Sequence, residues 1–284
     1  MTAVRSPLLG RALISTGFSV GGGAIADDDE AYRALAQAAE DEGERFRARF
    51  VEWRGGSAPQ GWVTKNTVYA SFSAPMTRFE RDGLLAIPRK RRAEIRKGLD
   101  AQARGDLLIR FNGTVEAFYP LYARALRDLG TPVFPSAFLS ALSARLNGQV
   151  EIAIVESGGA PVAGLVSFYY SGRMMPYYVA VDPSARPLRA LDFLCWSMIE
   201  RGLERGAQAF DFGRSKVGSP HYAYKKHWGF EPAPLAYHYA LLTANEVPNV
   251  NPNNPKFAMA SAMWKRLPLA AANRLGPVLA RNFA

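Results

Sequence analysis

The chain has 284 residues, enough for about two domains at a prior of ~150 residues each. Hydrophobic residues make up 48%, aromatics 12% and charged residues 21%, which excludes disorder throughout. The 35 Lys and Arg exceed the 25 Asp and Glu by ten, favouring anionic partners such as phosphates, nucleic acid or an acidic membrane face.

In chain order, Leu8 to Ser15 has strand character, Gly21-Gly22-Gly23 marks a turn and Asp29 to Gly43 is helical. Phe46 to Trp53 and Thr67 to Phe72 read as strands, and this stretch looks like an incomplete α/β unit. Pro88 to Ala101 predicts a helix with proline in its first turn. Between Arg89 and Lys97 it sets six cations against the one acid Glu94, a local net of +5. That face suits an RNA, an anionic glycan or lipid carrier, or plain solvent.

From Asp106 the pattern is more regular. A short strand to Phe111 precedes a helix from Thr114 to Leu129, with Val115, Phe118, Leu121, Tyr122, Ala125 and Leu126 on one face and Gly130 as its cap. A second helix runs from Ser136 to about Leu146. Gln149 to Val155, Val162 to Tyr170 and Met174 to Val181 predict a three-stranded meander. A helix from about Leu188 to Arg205, a strand Gln208 to Phe212, a short helical stretch Tyr222 to His227 and a strand Leu235 to Leu242 follow. This α/β order is that of a GNAT-type acyltransferase fold.

The residues best suited to chemistry lie in FDFGRSKVGSPHYAYKKHWGFEP, from Phe210 to Pro232. Asp211 ends a strand, Gly213 is expected to turn the chain, and Arg214, Lys216, Lys225 and Lys226 crowd four cations beside the amides of Gly218-Ser219. Helix N-termini and nearby cations suit a phosphate or a developing oxyanion. Asp211 is equally suited to orienting a cation, accepting a proton or tying backbone amides. His221 and His227 either line the site or make ordinary structural hydrogen bonds, and Cys195 reads as a buried small hydrophobe. That single cysteine excludes an internal disulfide, and with three histidines it makes a poor metal supply, so no metal is expected. No apolar run approaches the ~18 residues of a membrane span and no signal-peptide core is present, so the chain is expected to be cytoplasmic.

FDFGRSK, then Tyr224-Lys225-Lys226-His227-Trp228-Gly229-Phe230, then Pro234-Leu235 with Tyr237, closely resemble the FemAB family of aminoacyl and peptidyl transferases. Further matching pieces are Gly10-Arg11, Ile14-Ser15-Thr16, Gly21-Gly22, IPRKRR from Ile87, LGTPVF from Leu129, NPNNPK from Asn251 and WKRLP from Trp264. The likeness is strongest to the subgroup found with exosortase/PEP-CTERM exopolysaccharide systems. It implies two tandem GNAT-like units: a partial one over 1–105 ending in the basic helix, a catalytic one over 106–245, and a basic tail over 246–284. Relatives usually carry further N-terminal strands, so the first unit is expected to be trimmed or truncated.

By motif position the resemblance puts the aromatic-Lys pair of the reaction centre on Tyr224 and Lys225. It implies amide formation on an amine of a cell-envelope or exopolysaccharide precursor, a nucleotide- or lipid-linked sugar. No resident cofactor is implied; the donor is aminoacyl-tRNA or acyl-CoA. Lys225 would face the oxyanion, while Arg214, Lys216, Lys226, His221 and Trp228 would line the substrate. A CoA enzyme of this fold needs a glycine-rich turn before the helix that follows the meander, and here the place reads Arg186-Pro187-Leu188-Arg189-Ala190-Leu191. Arg186 and Arg189 remain candidate anion contacts. The alternatives are a CoA-dependent N-acyltransferase and a non-catalytic assembly factor that binds anionic glycan or lipid-linked sugar. The C-terminal stretch mixes Met263, Trp264, Leu267 and Leu269 with cations, which suits the inner face of a membrane, but packing on the body of the protein is expected.

Overall fold

The computed structural model describes residues 1–6, 10–247 and 255–280. Leu8, Leu9 and the Asn251 to Asn254 part of the NPNNPK motif lie outside them. The strands are β1 (Thr2–Ser6), β2 (Gly10–Ile14), β3 (Phe50–Arg54), β4 (Val63–Pro75), β5 (Leu108–Arg110), β6 (Val150–Ser157), β7 (Ala160–Tyr170), β8 (Arg173–Val181), β9 (Ala209–Lys216) and β10 (Pro232–Leu241). The helices are α1 (Asp29–Phe46), α2 (Thr77–Asp82), α3 (Arg89–Ala103), α4 (Val115–Leu129), α5 (Ser136–Arg145), α6 (Ala190–Glu204), α7 (Pro220–His227), α8 (Pro255–Lys265) and α9 (Leu269–Ala280).

Local chemistry sets several boundaries. Thr114 caps α4 by accepting from the Ala117 amide, and Gly130 ends it in the left-handed region at φ 82°. Asp28 caps α1 through the Ala31 amide, and two acids in the first turn complement the helix dipole. That helix runs on to Phe46, where Arg47 turns left-handed, so β3 begins at Phe50 rather than at the expected Phe46. Gly213 does not turn the chain: its φ of 68° sits inside β9, at a bulge where Phe212 is the extra residue opposite Phe72 and Ser73 of β4. The strand therefore continues through Arg214 to Lys216.

Among the described residues, the ten strands join one sheet in the order β1-β2-β3-β10-β4-β9-β8-β7-β6-β5. Strand β4, from the first part of the chain, lies antiparallel between β9 and β10, so the two tandem GNAT-like units share hydrogen-bonded strands. Helix α6 is buried from Asp192 through Ile199 and shares a core with Phe72, Phe79, Ile95, Phe210, Trp228 and Phe230. A second core lies under α4, around Phe118, Tyr122, Ile152, Val166 and Tyr178.

One feature of the sheet prepares the site. Parallel neighbours β8 and β9 pair only at Arg173 with Ala209 and Met174 with Phe210. Beyond that the ladder stops and the strands part. On the diverging stretch β8 slips against β7, with Val166 opposite Tyr178 and Ser167 opposite Pro176, which leaves Tyr177 as the extra residue of a bulge.

Candidate active site

Lys225 reaches the region where the strands part from α7. Ser219 caps that helix by accepting from the Tyr222 amide, and Pro220 opens its first turn. The Lys225 ammonium donates to the carbonyls of Gly213 and Arg214, each at 3.0 Å. It lies 5.5 Å from the ring centre of Phe72 and 5.8 Å from that of Phe212. Burial pulls its pKa down to about 8. Asp211 and Cys195 oppose that shift, and Arg214 adds to it. His221, one turn earlier on α7, has its pKa lowered by desolvation and then by the Lys225 charge.

Arg214 is held by tyrosines. Its Nη1 donates to the Tyr237 hydroxyl, and its guanidinium sits 4.7 Å from the ring centre of Tyr69. Tyr69 and Tyr237 pack at 5.3 Å. A buried arginine, Arg54 of β3, lies 5.7 Å from the Tyr237 ring and pairs with Glu52 at 2.7 Å. Arg54 also donates to the carbonyls of Thr16 and Ser19, in the segment after β2. The Tyr177 hydroxyl, at the β8 bulge, donates to the carbonyl of Phe18 in that same segment. Among the described residues, two arginines meet one carboxylate in this cluster.

The other expected residues have different surroundings. The Tyr224 hydroxyl donates to Asp192 Oδ1 at 2.9 Å, the oxygen that Arg91 also grips at 2.7 Å, and burial keeps its pKa well above the phenol range. Arg91 covers the Tyr224 ring at 4.7 Å. Cys195 lies 3.8 Å from the Tyr224 hydroxyl, and burial followed by the Asp192 charge pushes its thiol up to about 12. Asp211 accepts from the Gly213 amide at 2.8 Å and faces Arg173 at 3.7 Å. Trp228 is fully buried and packs edge-on against Phe212. Lys226 and Arg186 are exposed, Lys216 is half-buried, and Arg189 is paired with Glu94 of α3.

Lys225, Arg214, Asp211 and His221 are thus brought together, whereas Trp228 joins the core and Arg189 is engaged by α3. Glu52, Arg54 and Tyr69 escaped the sequence reading. A glutamate and an arginine two apart in FVEWR put both charges on one face of a strand, which was the available sign of a buried pair.

Residues 89–226 match the model of the acetyltransferase (GNAT) domain family. Among solved structures the chain is similar to FemX at 12% identity, covering 82% of this chain and 81% of that one, TM-score 0.59. It is similar to L-PGS from Bacillus licheniformis at 13% identity, covering 84% and 80%, TM-score 0.58. A third is the C-terminal domain of a chain assigned as a lysylphosphatidylglycerol synthetase from Agrobacterium fabrum, at 15% identity, covering 83% and 77%, TM-score 0.56. No curated protein matches the chain. The fold is GNAT-like, and its tandem build with interleaved strands is similar to that of FemX.

Proposed function

We propose that the protein is an aminoacyl- or acyltransferase that forms an amide on an amine of a cell-envelope or exopolysaccharide precursor. The observation that carries the reading is a partly desolvated lysine, Lys225, fixed by two carbonyls beside the parting of β8 and β9. An ammonium has three donors, so one N–H remains for a carbonyl oxygen that gains charge. The acceptor amine attacks the donor carbonyl, a C–N bond forms, and Lys225 stabilises the tetrahedral oxyanion. The C–O bond of the donor ester then breaks and the amine proton passes to the leaving hydroxyl. Arg214, steadied by Tyr69 and Tyr237, holds an anionic group of donor or acceptor. Tyr224 acts as a positioning residue, its hydroxyl engaged by Asp192.

An aminoacyl donor fits better than acyl-CoA. The start of α6, where a pyrophosphate would sit in a CoA enzyme of this fold, carries no glycine, and Arg189 supplies the left-handed residue at φ 55°. Asp192 already places a buried carboxylate in the first turn of α6, where the helix dipole would otherwise favour phosphate. The likeness to FemX and to a chain assigned as a lysylphosphatidylglycerol synthetase supports an aminoacyl or acyl donor and a lipid-linked or glycan acceptor. The FDFGRSK and Tyr224 to Phe230 motifs favour the exopolysaccharide setting of the exosortase/PEP-CTERM subgroup.

The test is mass spectrometry of lipid- and nucleotide-linked sugars from a deletion strain complemented with wild type or Lys225→Met. The expected result is an unmodified precursor in the deletion and Lys225→Met strains and an amide-modified one with wild type. Identical precursor profiles in all strains would overturn the reading.

A further inference from the structure

Helices α8 and α9 are built inside out. Both pack on α4 and the segment that follows it: the Arg127 guanidinium donates to the Leu267 carbonyl, and Gly276 lies against the backbone of Val133. The residues α9 turns inward are the small Ala272, Gly276 and Ala280, while its larger Leu275, Val278 and Leu279 face out. In α8 the aromatic Trp264 is buried, yet Met259 and Met263, four apart on one face, are each 66% exposed. A helix that serves only the core does the reverse. Lys265, Arg266 and Arg274 are exposed among these apolar side chains, and no carboxylate occurs from residue 255 to 280.

We propose that the outer face of α8 and α9 docks the protein on an anionic lipid bilayer. Bulky flexible apolar groups edged by cations match the acyl and headgroup layers of such a surface. Helices of 11 and 12 residues, separated by Pro268, lie along a membrane; neither is long enough to cross it. A second copy of the chain is a poorer occupant, because a symmetric contact would set the three cations against themselves. A folded protein partner would be met by a face without exposed aromatic residues among those described, unlike the centre of most protein interfaces. The inference does not rest on the transferase reading.

The experiment is co-sedimentation of the full chain with vesicles of phosphatidylcholine alone or mixed with phosphatidylglycerol. Binding is expected to the anionic vesicles only, and to weaken with added salt. Replacing Lys265, Arg266 and Arg274 together by Gln is expected to weaken it about a hundredfold, at roughly fivefold per cation. Replacing Met259, Met263, Leu275, Val278 and Leu279 by Ser is expected to abolish it. Hydrogen exchange on wild type avoids any folding defect of the variants: vesicles should protect residues 258–280. Absence of binding to anionic vesicles, protection confined to the basic α3, or a lipid-independent dimer lost in the same variants would each overturn the proposal.

Discussion

Lys225 carries the clearest consequence of burial. Its pKa of about 8 lies below the ordinary 10.5, so the unfolded chain holds this proton more tightly than the folded one. The charged lysine therefore costs stability below pH ~8, and that cost is relieved as pH rises through the window between the two values. Under the proposed mechanism activity runs the other way, because only the ammonium stabilises an oxyanion. A falling limb of kcat centred near pH 8 is expected in the wild type, and Lys225→Arg, which does not titrate there, should lose that limb; a pH profile of turnover checks both. The Glu52–Arg54 pair makes a second case, since both side chains are under a tenth exposed. Glu52→Ala leaves a buried guanidinium without its carboxylate and is expected to lower stability by about 3–5 kcal/mol in urea titrations. Motif position is what drew attention to Lys225. Its partners are main-chain carbonyls of a bulged strand, which no residue type announces.

Helices α3 and α6 meet at Gly98, where an added Cβ would fall 2.7 Å from the Cβ of Phe193. Helix propensity favours Gly98→Ala by about 1 kcal/mol, but overpacking against a buried helix costs about 1–3 kcal/mol. A net loss is expected, read as a lowered melting temperature; a gain would show that α3 yields easily. The same two helices explain why the cations of α3 are not one surface. Arg91 is committed to Asp192 of α6 and Glu94 to Arg189 just before that helix, while Arg89, Lys90, Arg96 and Lys97 face solvent. Periodicity located α3, α4 and α6 well because each buries one face over several turns. It missed β1 and the helices at the C-terminus, since a five-residue strand and two helices with small residues inward leave little pattern.

Interleaving of β4 between β9 and β10 ties early and late parts of the chain into one cooperative sheet. A fragment of residues 106–245 made alone would expose the edges that β4 covers, so it is expected to stay unfolded or aggregate. Co-expression with residues 1–105 should restore native circular dichroism and a single unfolding transition. A fragment that folds by itself would show that β4 adds little to the second unit.

Local patterns of apolar residues, caps and turn formers mark most of the helices and strands, and so they carry the α/β order, the GNAT-type fold and the motif around Lys225. Strand neighbours, bulges and buried ion pairs join residues far apart in the chain, where spacing is silent. The order of the sheet, the parting of β8 and β9, and the meeting of Arg54 from β3 with Tyr237 from β10 were therefore decided by tertiary structure alone.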